Sequence, residues 1–249
     1  MTTTGADSLP NTLPASFAEF EKLVESRRSV RVFTDEKIPS EVMERCLDLA
    51  LLAPNSSNLQ PWDFYWIQDP VKKKLVAEYC FSQNAATTAA ELIVVVARPD
   101  LWRRGQQLNI ETIKKSPKPD PRVLAYYEKL IPATYASDPF GVLATFKGAL
   151  ASTVGLFRVF YRGPFGETGN RLVANKTTAL ACENLMLALR AAGFDSCPME
   201  GFDHLRVRKL LRLPRQASIT MIIGAGRASP KGTYGPRVRG PREMFIHKV

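Results

Sequence analysis

The sequence predicts an α+β layer fold. Helix-period apolar patterns dominate, strand-like runs are few and far apart, and no regular strand–helix–strand series links them. With 249 residues, 45% of them hydrophobic, the chain can bury a substantial core. Residues 15–249 read as one domain. A lead over 1–14, rich in Thr, Ser, Pro and Asn, is expected to be disordered.

The elements follow in order. A first helix is expected over 17–26, where Phe17, Phe20, Leu23 and Val24 recur at helical spacing. Pro39 opens a second helix, which carries Val42, Cys46, Leu49 and Ala50 on one face and stops before Pro54. A polar loop framed by prolines covers 54–61, and 64–67 reads as a strand. Asp69-Pro70 caps a third helix running to about residue 81. The valine-rich run 92–97 suggests a buried strand. From 99 to about 139 the chain is rich in Pro, Lys and Arg, with one short helix expected around 123–130 and no contained core pattern. With the apolar, helical 140–160 it reads as an excursion or lid reaching to about 170. The clearest helix is 177–192, with Leu180, Glu183, Leu187 and Arg190 on one stripe. Leu185, Met186 and Leu189 widen its apolar face, and Gly193 stops it. A last strand is expected at 219–223, before a tail rich in Gly and Arg.

Charge and composition remove several classes of function. The net charge of +10, from 34 basic and 24 acidic residues, suits an anionic ligand, nucleic acid or a plain basic surface. The basic residues do not alternate with exposed aromatics and no RRM, helix-turn-helix or zinc pattern occurs, which argues against nucleic acid. Cys46, Cys80, Cys182 and Cys197 form no CxxC pair, and only His204 and His247 could join them. Free buried thiols are therefore expected, as suits a reducing cytoplasm. The lead lacks the basic and apolar regions of a signal peptide, and no apolar run reaches the length of a membrane span. There is no P-loop and no GxSxG, and Gly224-Ala225-Gly226 lacks the further glycine and helix of a Rossmann turn.

Four segments could carry chemistry. In an extended 27–31 segment Arg27, Ser29 and Arg31 point the same way, and two guanidinium forks with a hydroxyl suit a phosphate; a basic surface turn is the alternative. The amides and hydroxyls of 55–60 suit the carbonyl and N–H edge of a flat heterocycle, or simply connect a helix to a strand. Cys197-Pro198-Met199-Glu200-Gly201 reads as a tight turn whose exposed backbone N–H groups could serve a ring nitrogen, or as a turn and nothing more. In the tail, Arg237 and Arg239 flank Val238 and could face one side together, or belong to a solvated tail.

Taken together, these segments resemble the nitroreductase superfamily. The resemblance is carried by Arg-Arg-Ser-Val-Arg at 27–31, Ala-Pro-Asn-Ser-Ser-Asn-Leu-Gln-Pro-Trp at 53–62 and Glu-Asn-Leu-Met-Leu-Ala at 183–188. Ser-Cys-Pro-Met-Glu-Gly-Phe at 196–202 and Arg-Val-Arg at 237–239 complete it, in the family's order. It implies a three-layer fold, with a mostly antiparallel central sheet flanked by helices, in an interlocked homodimer. It also implies FMN at the interface and NADPH or NADH as electron donor. By resemblance, Arg27, Arg28, Ser29 and Arg31 hold the phosphate and pyrimidine side, joined by Arg237 and Arg239. Pro54, Asn55, Ser56 and Asn58 would reach FMN from the partner subunit. Pro198, Met199, Glu200 and Gly201 would form the turn behind the isoalloxazine ring, and Gln83 is a further flavin contact. The expected activity is two-electron, ping-pong reduction of a nitroaromatic or similar flat acceptor. Aromatic residues of the excursion (Trp102, Tyr126, Tyr127, Tyr135, Phe140 and Phe165) are candidates to line the acceptor pocket. Reductive dehalogenases, ene-reductases and flavin reductases share the same scaffold.

Overall fold

A computed structural model describes residues 14–138 and 140–249. The expected disordered lead lies, save for Pro14, outside the described residues. The helices are α1 (Ala15–Ser26), α2 (Ser40–Leu51), α3 (Pro70–Tyr79), α4 (Asn84–Thr87), α5 (Trp102–Lys114), α6 (Pro121–Ala125), α7 (Ile131–Tyr135), α8 (Val142–Phe157), α9 (Gly166–Ala191) and α10 (His204–Leu210). The strands are β1 (Trp62–Trp66), β2 (Glu91–Ala97), β3 (Asp195–Met199) and β4 (Ser218–Gly226), all antiparallel in the order β1-β2-β4-β3.

This is the expected α+β architecture, and the alternation of side chains along β2 produces its layers. Leu92, Val94 and Val96 face α3, α4 and α10 in a core shared with Val76, Ala85, Met199, Val207 and Ile222. Ile93 and Val95 face α2 and α9, packing with Met43, Cys46, Leu185, Leu189 and Ile223. β2 thus lies covered on both sides, and residues 92–97 are fully buried. Gly224 lets α4 approach β4: a Cβ there would stand 2.3 Å from the Ala85 carbonyl oxygen. Asp69 accepts from the amides of Val71 and Lys72 and Pro70 takes the first helical position, as expected. Among the described residues, no helix is long and apolar enough to cross a membrane.

Several expectations need correction. α9 begins at Gly166, eleven residues before the predicted start, because Asn170, Ala174 and Thr177 continue a buried stripe that polar residues obscure in the sequence. Its core-facing stripe is Thr178, Ala181, Cys182, Leu185, Met186 and Leu189. Leu180 is 48% exposed, and Glu183 and Arg190 form ion pairs with Arg27 and Asp195, so the stripe 180-183-187-190 is the polar side. Of residues 197–201, expected to form a turn, Cys197, Pro198 and Met199 lie instead in the edge strand β3. Pro198 fits there because an edge strand need not donate on its outer side. The short helix expected at 123–130 is instead α6, a π-helical turn over Tyr126–Leu130, and α7. The excursion also has a small core of its own, in which Trp102, Tyr127 and Ile131 pack on Leu59.

Candidate functional site

The 27–31 segment runs along the open edge of β3. Ser29 bridges Ser196 in parallel, and the Val30 amide donates to the Ser196 carbonyl at 3.1 Å. On its other side the Arg31 amide donates to the Gly232 carbonyl at 2.6 Å, so the C-terminal segment closes over it. Arg28 Nη2 donates to the Gly235 carbonyl at 2.7 Å. Arg237 Nη2 donates to the Glu25 carbonyl at 2.8 Å and to the carbonyl of Arg27. Arg27 Nε stands 3.6 Å from Glu183 Oε1, which ties the 27–31 and 183–188 motifs together.

The remaining members arrive from the start of α4, the end of β3 and the C-terminal segment. The Arg31 guanidinium lies 5.3 Å from the centre of the Tyr234 ring, a cation–π distance. Asn84 Nδ2 donates to the Tyr234 hydroxyl at 3.2 Å. Gln83 Nε2 donates to the Gly201 carbonyl at 3.1 Å, holding the segment that follows β3. The structure therefore brings together Arg27, Arg28, Ser29, Arg31, Gln83, Pro198, Met199, Glu200, Gly201 and Arg237. The Arg239 guanidinium donates to the neighbouring Val238 carbonyl, and among the described residues no hydrogen bond joins it to the others. Met199 is 3% exposed and packs inward, which leaves Pro198, Glu200 and Gly201 as the accessible part of that segment.

The electrostatics of the cluster suit an anion bearing a flat polar ring. Among the described residues, only Arg27 of these arginines meets a carboxylate; Arg28 and Arg31 have backbone or ring partners. The buried Ser196 Oγ has no hydrogen-bond partner, and a Cβ at Gly201 would enter open space. The Glu200 and Gly201 amides donate to no backbone carbonyl among the described residues. Positive charge, spare donors and an open edge fit FMN, whose phosphate needs guanidinium groups and whose ring needs N–H donors. Burial pushes the Cys197 thiol up, against the opposing pull of Arg31, so it stays protonated beside the cluster.

The 54–60 loop lies elsewhere in the chain, held by the excursion. Ser56 Oγ meets the Tyr135 hydroxyl at 3.0 Å and Ser57 Oγ the Tyr126 hydroxyl at 2.7 Å. Asn58 and Asn109 exchange two amide hydrogen bonds, at 2.9 and 2.8 Å. Asn55 Oδ1 accepts from the Gln60 amide at 2.8 Å. Ser57, Asn58 and Gln60 all adopt positive φ, a strained set that these side-chain bonds sustain. Among the described residues, no hydrogen bond joins Pro54, Asn55, Ser56 or Asn58 to the arginine cluster of the same chain. Sequence reasoning missed Asn84, Asn109 and Tyr234, which bear no motif of their own. Tyr126 and Tyr135, expected to line an acceptor pocket, set their hydroxyls against this loop. Trp102 and Tyr127 are buried, and Phe140 and Phe165 line a separate cavity.

Known proteins resemble this chain in sequence and in fold. The Nitroreductase family profile matches residues 24–227. Protein DrgA of Synechocystis sp. is 29% identical over 224 residues, covering 90% of each chain. The fold is similar to that of the nitroreductase family protein from Streptococcus pneumoniae, with a TM-score of 0.69, 22% identity and coverage of 92% of this chain and 100% of that one. It is also similar to the NADPH:FMN oxidoreductase from Vibrio harveyi complexed with NAD+, with a TM-score of 0.61, 18% identity and coverage of 92% and 76%. The profile match spans most of the chain and takes in the arginine segment, the polar loop and the β3 edge: this protein belongs to the nitroreductase family.

Proposed function

We propose that this protein is an NAD(P)H-dependent flavin oxidoreductase that binds FMN and reduces nitroaromatic or similar flat acceptors by a two-electron, ping-pong reaction. The observation that carries the reading is the convergence of 27–31, Gln83, 198–201 and Arg237 on one open, cationic edge of the sheet. Bound FMN would supply the two-electron redox centre for that reaction.

The chain's own residues bind, orient and shield. Arg27, Arg28 and Ser29 would hold the phosphate, with Arg237 bracing the backbone on which they sit. Arg31 would place positive charge at the pyrimidine edge, where it favours the anionic reduced form of the ring. The Glu200 and Gly201 amides would serve as the N–H donors toward the ring. This work is positioning and electrostatics, and needs no protein nucleophile.

The same reading makes the protein a homodimer with its sites at the interface. The polar loop sits with the excursion, apart from the arginine cluster of its own chain, as a loop serving the partner would. α1 buries none of its residues and exposes Phe17, Phe20 and Val24, and the tail exposes Val238, Met244, Phe245 and Ile246. Surface of this kind is what an interlocked partner covers.

Anaerobic addition of NADPH to the FMN-loaded protein should bleach its visible spectrum, and a nitroarene should restore it. Failure to bleach with either NADPH or NADH would overturn the oxidoreductase reading. Faster reoxidation by a halophenol, an activated alkene or free flavin would move the acceptor to another branch of the family.

A further inference from the structure

A second cationic site lies at the other end of α9. Arg171, Arg208 and Arg215 line a cavity of about 480 Å³, walled by Phe140, Phe165 and the glycine pair Gly141 and Gly166. No side chain caps the N-terminus of α9, a helix of 26 residues, so its first amides and the positive end of its dipole also face this region. Two carboxylates share the cavity, and both are committed. Asp138 accepts from the amides of Phe140, Val142 and Leu143 at 3.1, 3.0 and 2.7 Å, and these bonds hold it below the usual carboxylate range. Glu167 accepts from Arg171 Nη2 at 2.8 Å.

The arginines keep donors in hand. Arg171 Nε is buried and has no hydrogen-bond partner, a costly state unless a ligand satisfies it. Arg208 donates both terminal nitrogens to the carbonyls of Arg215 and Ala217, which fixes its charge at the cavity. The Arg215 guanidinium has no hydrogen-bond partner among the described residues, while its backbone carbonyl accepts from Arg171 and Arg208. Aromatic walls, three guanidinium groups and a helix N-terminus match a phosphate carried on a nucleoside.

Asn170, one residue before Arg171, lines the narrow gap beside Ser56 and donates to the Tyr135 carbonyl, the residue whose hydroxyl anchors that loop. Through Asn170, α9, which carries Arg171, thus adjoins the loop assigned to the partner's flavin.

We infer that this cavity binds the 2′-phosphate of NADPH, and so sets a preference for NADPH over NADH. The inference rests on the oxidoreductase reading above. A monoester dianion carries more charge than either phosphate of the dinucleotide bridge, and of the two donors only NADPH has one.

Isothermal titration of the FMN-loaded protein with adenosine 2′,5′-bisphosphate, 5′-AMP and inorganic phosphate tests it. The bisphosphate should bind at least roughly tenfold more tightly than 5′-AMP, and Arg215→Ala should erase that difference. Equal affinity for the two nucleotides, or a preference that survives in both Arg215→Ala and Arg215→Glu, would overturn the site. Inorganic phosphate binding as tightly as the bisphosphate would overturn its nucleotide character. Failure of the parent reading looks different: such a protein takes up no FMN or does not bleach with either donor.

Discussion

Arg31 offers the sharpest case at the scale of single residues. Its guanidinium faces the Tyr234 ring, with no carboxylate partner among the described residues, so Arg31→Ala removes a cation that serves a ligand more than the fold. Affinity for FMN should fall roughly tenfold or more while the melting temperature changes little; fluorescence quenching and thermal melts read the two effects separately. The four cysteines behave in the opposite way. All are buried and free, and burial pushes the thiols of Cys80 and Cys182 up to about 12. A thiol reagent at neutral pH should leave them untouched in the native protein and label all four after denaturation. Glu36 gives a pH dependence. Its hydrogen bond from Arg227 holds it below the usual carboxylate range. A lowered folded-state value means the pair contributes fully above the unfolded carboxylate value, and that contribution is lost as pH falls through the folded one. Melting temperature should therefore drop less steeply in Glu36→Gln than in the parent, from about pH 5 to pH 3. At this scale the sequence was most legible where a residue type has one use, as with the arginine segment. It was silent on Asn84 and Tyr234, whose roles exist only once distant segments meet.

Elements bounded by strong local signals matched the sequence reading: Asp69-Pro70 starts α3, and the unbroken valine run makes β2. Where tertiary context decides, the reading failed. β3 contains a proline and two polar residues, and it is a strand because β4 offers an edge to pair with. The first half of α9 looked polar because Asn170 and Thr177 are buried through hydrogen bonds and packing that the sequence does not display. The polar loop shows the same dependence. A Cβ on Gly105 of α5 would stand 2.1 Å from the Leu59 carbonyl oxygen, so α5 and the loop approach backbone to backbone. Gly105→Ala should cost about 1–3 kcal/mol by denaturant titration. It should also weaken FMN binding without touching an arginine, by displacing the loop.

In the proposed homodimer, each flavin site lies between two chains. The family resemblance implied this, and the separation of the polar loop from the arginine cluster supports it. A mixture of two inactive proteins tests the arrangement. Arg27→Ala with Arg31→Ala damages the cationic edge, and Asn55→Ala with Ser56→Ala and Asn58→Ala damages the loop. Refolded together, they should form mixed dimers in which one of the two sites is intact and activity returns. If each site were built within one chain, mixing would restore nothing.

An FMN titration of the purified, flavin-stripped protein tests whether the open cationic edge beside β3 is the FMN site proposed above. Uptake should saturate at one FMN per chain and be lost when Arg27 and Arg31 are both replaced by alanine. No uptake by the parent protein, or equal uptake by the double variant, would contradict it.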